Sequence, residues 1–278
     1  MQRTLIRLFR VLPLGFLYAL SSALVLPFYI LLDRRGRRGS YQFARQLGMG
    51  RFRSVLHVVS NFYHMGQVVL DRFAAYSGKP FQVVYTDFSV YERQTAVREE
   101  PLLLLSSHMG NYEMIGYMLP TPKPMKVLVF GGESDTVMAN RGRLFLASNI
   151  EMVPVKQDLS HLFILDQAIV DGEIVSLPSD RPFGSRKVFR LPFLGKEAAF
   201  PAGPFTMAVR REVKGILAAY AIKEARRKYR IILDKIELPE DGTDREKALS
   251  LASQYVSSLE RVACQWPSQW YNFYDFWQ

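Results

Sequence analysis

The hydrophobic and polar positions of this chain follow the pattern of an α/β protein. Short apolar runs without polar alternation, such as residues 102–105, are typical of strands buried on both faces of a sheet. Longer stretches, such as residues 55–76, carry apolar side chains at helical spacing. The pattern predicts strands over 102–105, 126–130, 152–155 and 174–177, helices over 55–76, 113–119, 135–148, 161–170, 204–211 and 244–264, and an antiparallel hairpin of 215–223 and 229–236 ending the sheet.

The N-terminus carries a separate signal. Residues 11–32 contain no charged side chain, and 22 residues are enough to cross a bilayer as a helix. Arginines lie on both sides, with the larger group after the apolar run, which predicts a membrane anchor rather than a cleaved signal peptide, with the rest of the chain in the cytoplasm. Because Pro13 and Pro27 interrupt the run, spanning the membrane and lying in its interface both stay open.

These patterns divide the chain into two parts. Residues 1–38 form a membrane anchor with a basic flank, and residues 39–278 form one α/β domain with a mixed central sheet flanked by helices. The net charge of +10 predicts an anionic partner, such as phospholipid headgroups, a phosphopantetheine carrier or nucleic acid. The basic segment 34–53 adjoins the apolar run and no nucleic-acid motif accompanies it, which favours lipid headgroups. The single cysteine, Cys264, is expected to be buried.

The candidate chemistry lies directly after the first buried strand. Ser106, Ser107, Gly110 and Asn111 favour a tight turn, which places His108 at the end of that strand, where open α/β sheets bind ligands. With the histidine in the loop and Glu113 in the first helical turn, the two side chains could meet as a catalytic dyad. In such a dyad a carboxylate orients the imidazole, which then removes a proton from a hydroxyl or an amine.

Four stretches in this order resemble one family. They are HMGNYE (108–113), DGEIVSLPSDR (171–181), FPAGPFTMA (200–208) and WPSQWYNFYDFW (266–277). The first resembles the HxxxxD/E signature of the glycerolipid acyltransferase superfamily, and the set resembles its lipid A biosynthesis (lauroyl/myristoyl) branch. The resemblance implies a glycerolipid acyltransferase-like fold and an acyl transfer in which His108 is the general base and Glu113 its partner.

Further site residues are expected around this dyad. Backbone NH groups near Gly110, or a nearby basic side chain, would stabilise the oxyanion, and Asn111 belongs to the same motif. Asp180 and Arg181 follow the strand at 174–177, so they are expected to converge on His108, with Arg181 holding a phosphate and Asp180 orienting it. The resemblance also implies a substrate-binding arginine, for which Arg141 and Arg143 are both candidates.

The sequence thus predicts a membrane-bound acyltransferase of the bacterial inner membrane. Its donor would be an acyl-carrier-protein or coenzyme A thioester and its acceptor a hydroxyl or amine of a lipid A precursor or related lipid, with no other cofactor and no metal. A thioesterase or lipid hydrolase using the same dyad is one alternative. A non-catalytic protein that binds anionic membranes is another, and acyl length, acceptor and oligomeric state stay open.

Overall fold

A computed structural model of the chain describes residues 9–129, 149–182 and 187–277. Within these ranges a seven-stranded sheet forms the centre of the molecule and a two-stranded hairpin lies beside it. The strands are β1 (Gln82–Thr86), β2 (Leu102–Ser106), β3 (Met125–Val129), β4 (Ile150–Pro154), β5 (Ile174–Pro178), β6 (Val188–Phe193), β7 (Lys196–Pro201), β8 (Gly215–Ala225) and β9 (Lys228–Lys235). The order in the large sheet is β1-β9-β8-β2-β5-β3-β4, and β6 pairs with β7.

The central sheet is mostly parallel. Strands β8, β2, β5, β3 and β4 run in one direction, whereas β9 is antiparallel to β8 and β1 is parallel to β9. This arrangement confirms the predicted α/β class with a mixed sheet flanked by helices. The predicted β8–β9 hairpin is present, but the expectation that it ends the sheet is wrong. Strand β1, which the pattern missed because its residues are only half-buried, pairs with β9 at that edge.

Helices cover the sheet and extend to the N-terminus. They are α1 (Leu14–Leu32), α2 (Arg34–Gln46), α3 (Arg51–Tyr76), α4 (Phe88–Ala96), α5 (Ile115–Met118), α6 (Ser160–Val170), α7 (Gly203–Arg210) and α8 (Asp244–Gln265). The predicted helix over 135–148 lies outside the described residues. Helix α8 begins with a capping box, in which the Thr243 hydroxyl accepts from the Glu246 amide and the Glu246 carboxylate accepts from the Thr243 amide.

Helix α1 is the apolar element that the N-terminal sequence predicts. The helix has 19 residues and a mean hydropathy of 1.9, and only 17% of its most apolar 18-residue stretch is buried. No other helix in the described part of the chain is both long and apolar enough to cross a bilayer. A wide turn over Ser21–Val25 precedes Pro27, so the helix continues through the proline without a break. Length and composition alone make α1 a membrane-span candidate.

Both faces of strand β2 are buried. Leu103 and Leu105 face one hydrophobic cluster, which includes the apolar side of α8, and Leu102 and Leu104 face a second cluster on the other side of the sheet. All four side chains are at most 1% exposed. The absence of polar alternation in this segment therefore indicated its environment correctly.

The aromatic C-terminal segment packs on the protein core. Trp270 is 1% exposed, and its ring centroid lies 4.7 Å from that of Phe43 and 5.1 Å from that of Phe193. The expectation that Cys264 is buried is wrong, because the apolar face of α8 presents Val262 and Ala263 to the core and leaves the thiol exposed.

A buried histidine on α3 predicts an acid-sensitive fold. Burial lowers the pKa of His57 from 6.5 to about 4, and the charge of His64 acts in the same direction. The unfolded chain therefore binds a proton before the folded chain does. The stabilisation is complete above pH 6.5 and is lost as the pH falls towards 4, by up to about 3 kcal/mol.

The measurement is chemical unfolding in one detergent between pH 7 and pH 4.5. The wild type is expected to lose more of its free energy of unfolding across this range than His57→Leu, which has no titrating group at that position. Equal losses in the two proteins would show that His57 does not contribute to the acid sensitivity.

Candidate functional site

His108 lies in the loop that leaves the carboxyl end of strand β2. Strand β2 pairs in parallel with β5, and Ser106 is the register partner of Pro178 at the end of the ladder. The Ser179 amide extends this pairing by donating a hydrogen bond to the Ser106 carbonyl at 2.8 Å. The two loops therefore leave the sheet side by side, which is the expected behaviour of neighbouring parallel strands.

Two hydrogen bonds join His108 to Asp180 across these loops. The Nδ1 atom of the imidazole lies 2.8 Å from Oδ1 of Asp180, and the backbone NH of His108 donates to Oδ2 at 2.9 Å. Asp180 is 0% exposed, so water does not compete for its carboxylate. Because Nδ1 donates to an ionised carboxylate, Nε2 carries the lone pair of the neutral ring. The predicted convergence of Asp180 on His108 is confirmed.

The electrostatics of this pair favour a neutral imidazole beside an ionised carboxylate. Burial by itself would raise the pKa of Asp180, but the charge and hydrogen bonds of His108 and the charge of Arg181 lower this pKa to about 2. Burial lowers the pKa of His108, and the positive charges of Arg181 and Arg72 act in the same direction, while Asp180 opposes them. At neutral pH the ring can therefore accept a proton.

Glu113 contacts a basic side chain of helix α3. Its carboxylate forms an ion pair with the guanidinium of Arg72 on helix α3, and the side chains of both residues are largely buried. Arg72 also donates from Nε to Oδ1 of Asn111 at 3.1 Å. The sequence expectation put Glu113 on the imidazole, whereas the structure puts the Asp180 carboxylate on Nδ1. The catalytic role of Glu113 stays a prediction.

The turn after His108 requires glycine. Gly110 has a φ of +63°, and a Cβ atom there would lie 2.0 Å from the Ala221 carbonyl oxygen, which is inside van der Waals contact. The Gly110 NH donates to the Gln269 carbonyl and the Asn111 NH to the Ala221 carbonyl, both at 2.7 Å. These two amides hold the loop on strand β8 and on the C-terminal segment. The Gly110 and Asn111 amides are therefore already bonded to carbonyls and not directed at an oxyanion, while the alternative expectation, a nearby basic side chain, stays a prediction.

The C-terminal segment clamps the same loop. The Gln269 side chain accepts from the Lys223 NH and donates to the Lys223 carbonyl, both at 2.9 Å, as a neighbouring strand would. The backbone NH of Tyr271 then donates to the His108 carbonyl at 2.9 Å. Sequence reasoning noted these aromatic and glutamine positions as family-like but did not predict their contact with the histidine loop, because about 160 residues separate the two segments.

A buried polar network lies beneath the loop. Asp71 on α3 is 0% exposed and forms an ion pair with Lys223 of β8. Tyr18 of α1 and Tyr229 of β9 both donate hydrogen bonds to the Asp71 carboxylate. The Tyr229 hydroxyl also accepts from the Asn111 side chain at 3.2 Å. The network therefore connects the apolar N-terminal helix to the loop that carries His108. The sequence analysis predicted none of the four residues that form this network with Asn111, which are Asp71, Lys223, Tyr18 and Tyr229.

The remaining predicted residues are less clearly placed at the site. Arg181 donates to the Tyr271 carbonyl, and its guanidinium lies 5.2 Å from the ring centroid of Tyr274. Arg181 therefore lies next to Asp180 in the chain, and its side chain contacts the C-terminal segment. Phosphate binding by Arg181 stays a prediction. Arg141 and Arg143 lie outside the described residues.

This arrangement can perform acid–base chemistry without a covalent intermediate. The described residues include an imidazole held through Nδ1 and two nearby guanidinium groups, and they include no group of three histidine, cysteine or acidic side chains placed to hold a metal ion. An imidazole oriented in this way can remove a proton from a hydroxyl or amine and later return it to a leaving group.

The chain matches the sequence model of a known protein family. A sequence model of the bacterial lipid A biosynthesis acyltransferase family matches residues 91–278, more than half of the chain, and the match includes the His108 loop, Asp180 and the C-terminal clamp. A search of individually curated proteins finds no match.

Proposed function

The chain belongs to the bacterial lipid A biosynthesis acyltransferase family, and on that premise we propose that it moves a fatty acyl chain from a thioester donor to a lipid acceptor with His108 as general base. The donor is an acyl-carrier-protein or coenzyme A thioester. The acceptor is a hydroxyl or amine of a lipid A precursor or a related bacterial lipid. The observation that supports this proposal most is the buried Asp180 carboxylate on Nδ1 of His108.

The first step is proton removal by the imidazole. Asp180 holds the ring with Nδ1 protonated, so the lone pair of Nε2 accepts the proton of the acceptor hydroxyl or amine. The acceptor oxygen or nitrogen attacks the thioester carbonyl as its proton passes to Nε2. Because burial lowers the pKa of His108, the neutral ring that this step needs predominates at neutral pH.

The second step is the collapse of the tetrahedral intermediate. An oxyanion forms when the carbonyl is attacked, and the positive charges of Arg181 and Arg72, which already act on His108, stabilise it in this buried site. The carbon–sulfur bond then breaks, and the imidazolium returns its proton to the departing thiolate. Asp180 stays ionised throughout and stabilises the imidazolium, so the cycle ends with the neutral ring restored.

We further propose that the reaction takes place at the cytoplasmic face of the inner membrane. Helix α1 is long and apolar enough to enter a bilayer, and Arg34, Arg35, Arg37 and Arg38 follow it directly. An arginine group on that side of an apolar helix favours a cytoplasmic position for the segment that follows. A donor carried by a soluble protein or by coenzyme A would be available on that side.

Lipid analysis of a deletion strain tests the function. Mass spectrometry of the extracted lipids is expected to show loss of one acylated lipid, with its non-acylated precursor accumulating. Restoration by the wild-type gene and not by the His108→Ala gene would support an acyl transfer that depends on this histidine. Unchanged lipids in the deletion strain would contradict it.

A purified preparation separates transfer from hydrolysis. Acyl-carrier-protein and coenzyme A thioesters are supplied with and without the lipid fraction that accumulates in the deletion strain, and both free acid and acylated lipid are measured. Acyl transfer predicts that release of thiol requires the lipid. Thiol release at the same rate without lipid would support the thioesterase alternative instead.

A further inference from the structure

A basic groove lies outside the histidine site, where helix α2 crosses the start of α3. Its volume is about 880 Å³, and it opens beside the C-terminal end of α1. Four arginines line it together with valine and isoleucine side chains, and Gly39, Tyr41 and Asp275 complete the lining. The lining residues that matter are Ile30, Arg34, Arg35, Arg38, Val55 and Val59.

The arginines of this groove are available to an anion. Arg34 and Arg35 have no ion-pair partner among the described residues, and Arg38 has only a distant one, Asp275, at 3.7 Å. Arg37 instead donates to the Leu31 carbonyl at 2.8 Å and closes the end of α1. Arg38 lies four positions after Arg34 and three after Arg35, spacings that put side chains on one face of a helix, and all three side chains line the groove.

The opposite side of the groove continues into an exposed apolar surface. On α3, Phe52 is 75% exposed, Val55 54%, Leu56 52% and Val59 43%. Spacings of three and four residues place these side chains in one stripe along the helix. Leu31 and Leu32 of α1 are exposed at the same end of the molecule. An exposed apolar stripe of this kind marks a surface that binds another molecule, and it lies directly beside the arginines of the groove.

We propose that this groove binds one anionic glycerophospholipid of the bilayer, with its phosphate between Arg34, Arg35 and Arg38 and an acyl chain against Val55 and Val59. Cationic groups beside an apolar wall match a molecule that is anionic at one end and a hydrocarbon at the other. A nucleic acid or a free phosphate would use the arginines and leave the valines unused. The proposal does not depend on the acyl-transfer reaction, because the groove is separate from His108.

The groove and the histidine site have Tyr274 as a common neighbour. Burial and the charge of Asp180 raise the pKa of Tyr274, and the charges of Arg181 and of Arg35 in the groove lower it. Arg181 in turn is the residue after Asp180. A bound lipid would therefore orient the molecule on the membrane with the histidine loop and the C-terminal clamp at a defined position relative to the lipid headgroups.

Native mass spectrometry of the full chain in detergent tests the proposal. The protein is incubated with phosphatidylglycerol or with phosphatidylcholine, and the number of lipids retained per chain is counted. The wild type is expected to retain one phosphatidylglycerol at least ten-fold more often than phosphatidylcholine. Equal retention of the two lipids, or no retained lipid, would overturn the proposal.

Two variants and one control locate the binding. The triple variant Arg34→Gln, Arg35→Gln, Arg38→Gln keeps helix propensity and is expected to lose at least ten-fold in retained phosphatidylglycerol. The variant Val55→Ser, Val59→Ser tests the apolar wall and is expected to retain less as well. The control Arg93→Gln, Arg98→Gln, Arg245→Gln removes the same charge from exposed positions elsewhere and should retain lipid like the wild type.

Two outcomes count against the site. Wild-type retention by the groove triple variant, with thermal unfolding unchanged, would place the lipid elsewhere. Displacement of phosphatidylglycerol by inorganic phosphate at equal concentration would show a site for free phosphate and overturn the lipid assignment. Neither outcome would bear on the acyl-transfer function, since the measurement contains no acyl donor.

Discussion

Replacing His108 with alanine is expected to lower kcat/KM by about 10²- to 10⁴-fold, because the reaction loses its general base. Folding should be retained, since the backbone NH of residue 108 still donates to Asp180 and its carbonyl still accepts from Tyr271. The measurement is acyl transfer by the purified full chain, with thermal unfolding as the test of folding. His64→Ala is a matched control on α3, where the ring bonds to the Ser60 carbonyl, and it should keep near-normal activity.

Two further variants identify the carboxylate that acts on the imidazole. Asp180→Asn removes the negative charge that raises the pKa of His108, so the acidic limb of the pH–rate profile is expected to move to lower pH while the rate falls by about 10²-fold or more. Glu113→Gln removes the charge that pairs with Arg72, so it should move that limb less.

The direction of the pH dependence follows from which form of His108 is active. The neutral ring is active, so the rate rises with pH through the lowered pKa of His108 and is already at its plateau near neutral pH. A larger displacement of the limb in Glu113→Gln than in Asp180→Asn would show that Glu113 is the partner of the imidazole in solution. Full activity in His108→Ala would contradict the mechanism.

Replacing Lys223 with methionine is expected to destabilise the fold by about 3–5 kcal/mol, because it leaves the Asp71 carboxylate buried without its cation. Both partners are nearly inaccessible to water, with side chains 5% and 0% exposed. Tyr18 and Tyr229 still donate to the carboxylate, but neutral donors do not balance a full charge in the interior. The measurement is the free energy of unfolding in denaturant, in one detergent.

A double variant and an exposed pair serve as controls. Asp71→Asn together with Lys223→Met removes both charges and keeps a hydrogen-bond acceptor for the tyrosines, so it should be more stable than Lys223→Met alone. Lys228→Met breaks the ion pair with Glu224, in which the lysine is 40% exposed, and should cost less than about 1 kcal/mol. Equal, small effects of the buried and the exposed lysine would refute the argument for the buried pair.

The Asp71–Lys223 ion pair is also connected to the loop that carries His108. Asp71 accepts from Tyr229, and the Tyr229 hydroxyl accepts from Asn111 in the turn after His108. Loss of the ion pair therefore weakens the position of Asp71 and of Tyr229, which bonds to this turn through Asn111. Tyr18 on α1 also donates to Asp71, so one hydrogen-bond network links the apolar helix to the histidine loop.

Local pattern was sufficient for most of the secondary structure. The short apolar runs at residues 102–105 and 174–177 are buried on both faces, so β2 and β5 were predictable, and helical spacing identified α3, α6 and α8 nearly to their ends. The pattern missed helices α2 and α4. It also failed at β1, whose residues are half-buried, and at Cys264, whose position on the outer side of α8 depends on which face the helix turns to the sheet. For β1 and for Cys264, the exposure of the residues depends on the elements packed beside them, which the local pattern does not contain.

The sequence by itself determined that His108 ends a buried strand in a glycine-containing turn, and that the loop after the parallel strand β5 lies beside it. Only the tertiary structure decided which carboxylate binds Nδ1 of the ring. Glu113 is five residues from His108 and was the natural choice, yet Arg72 of α3 lies beside its carboxylate, and Asp180, 72 residues away, reaches Nδ1. The physical reason is that parallel pairing fixes where a loop leaves the sheet, whereas the direction of each charged side chain depends on the charges that distant elements bring to it.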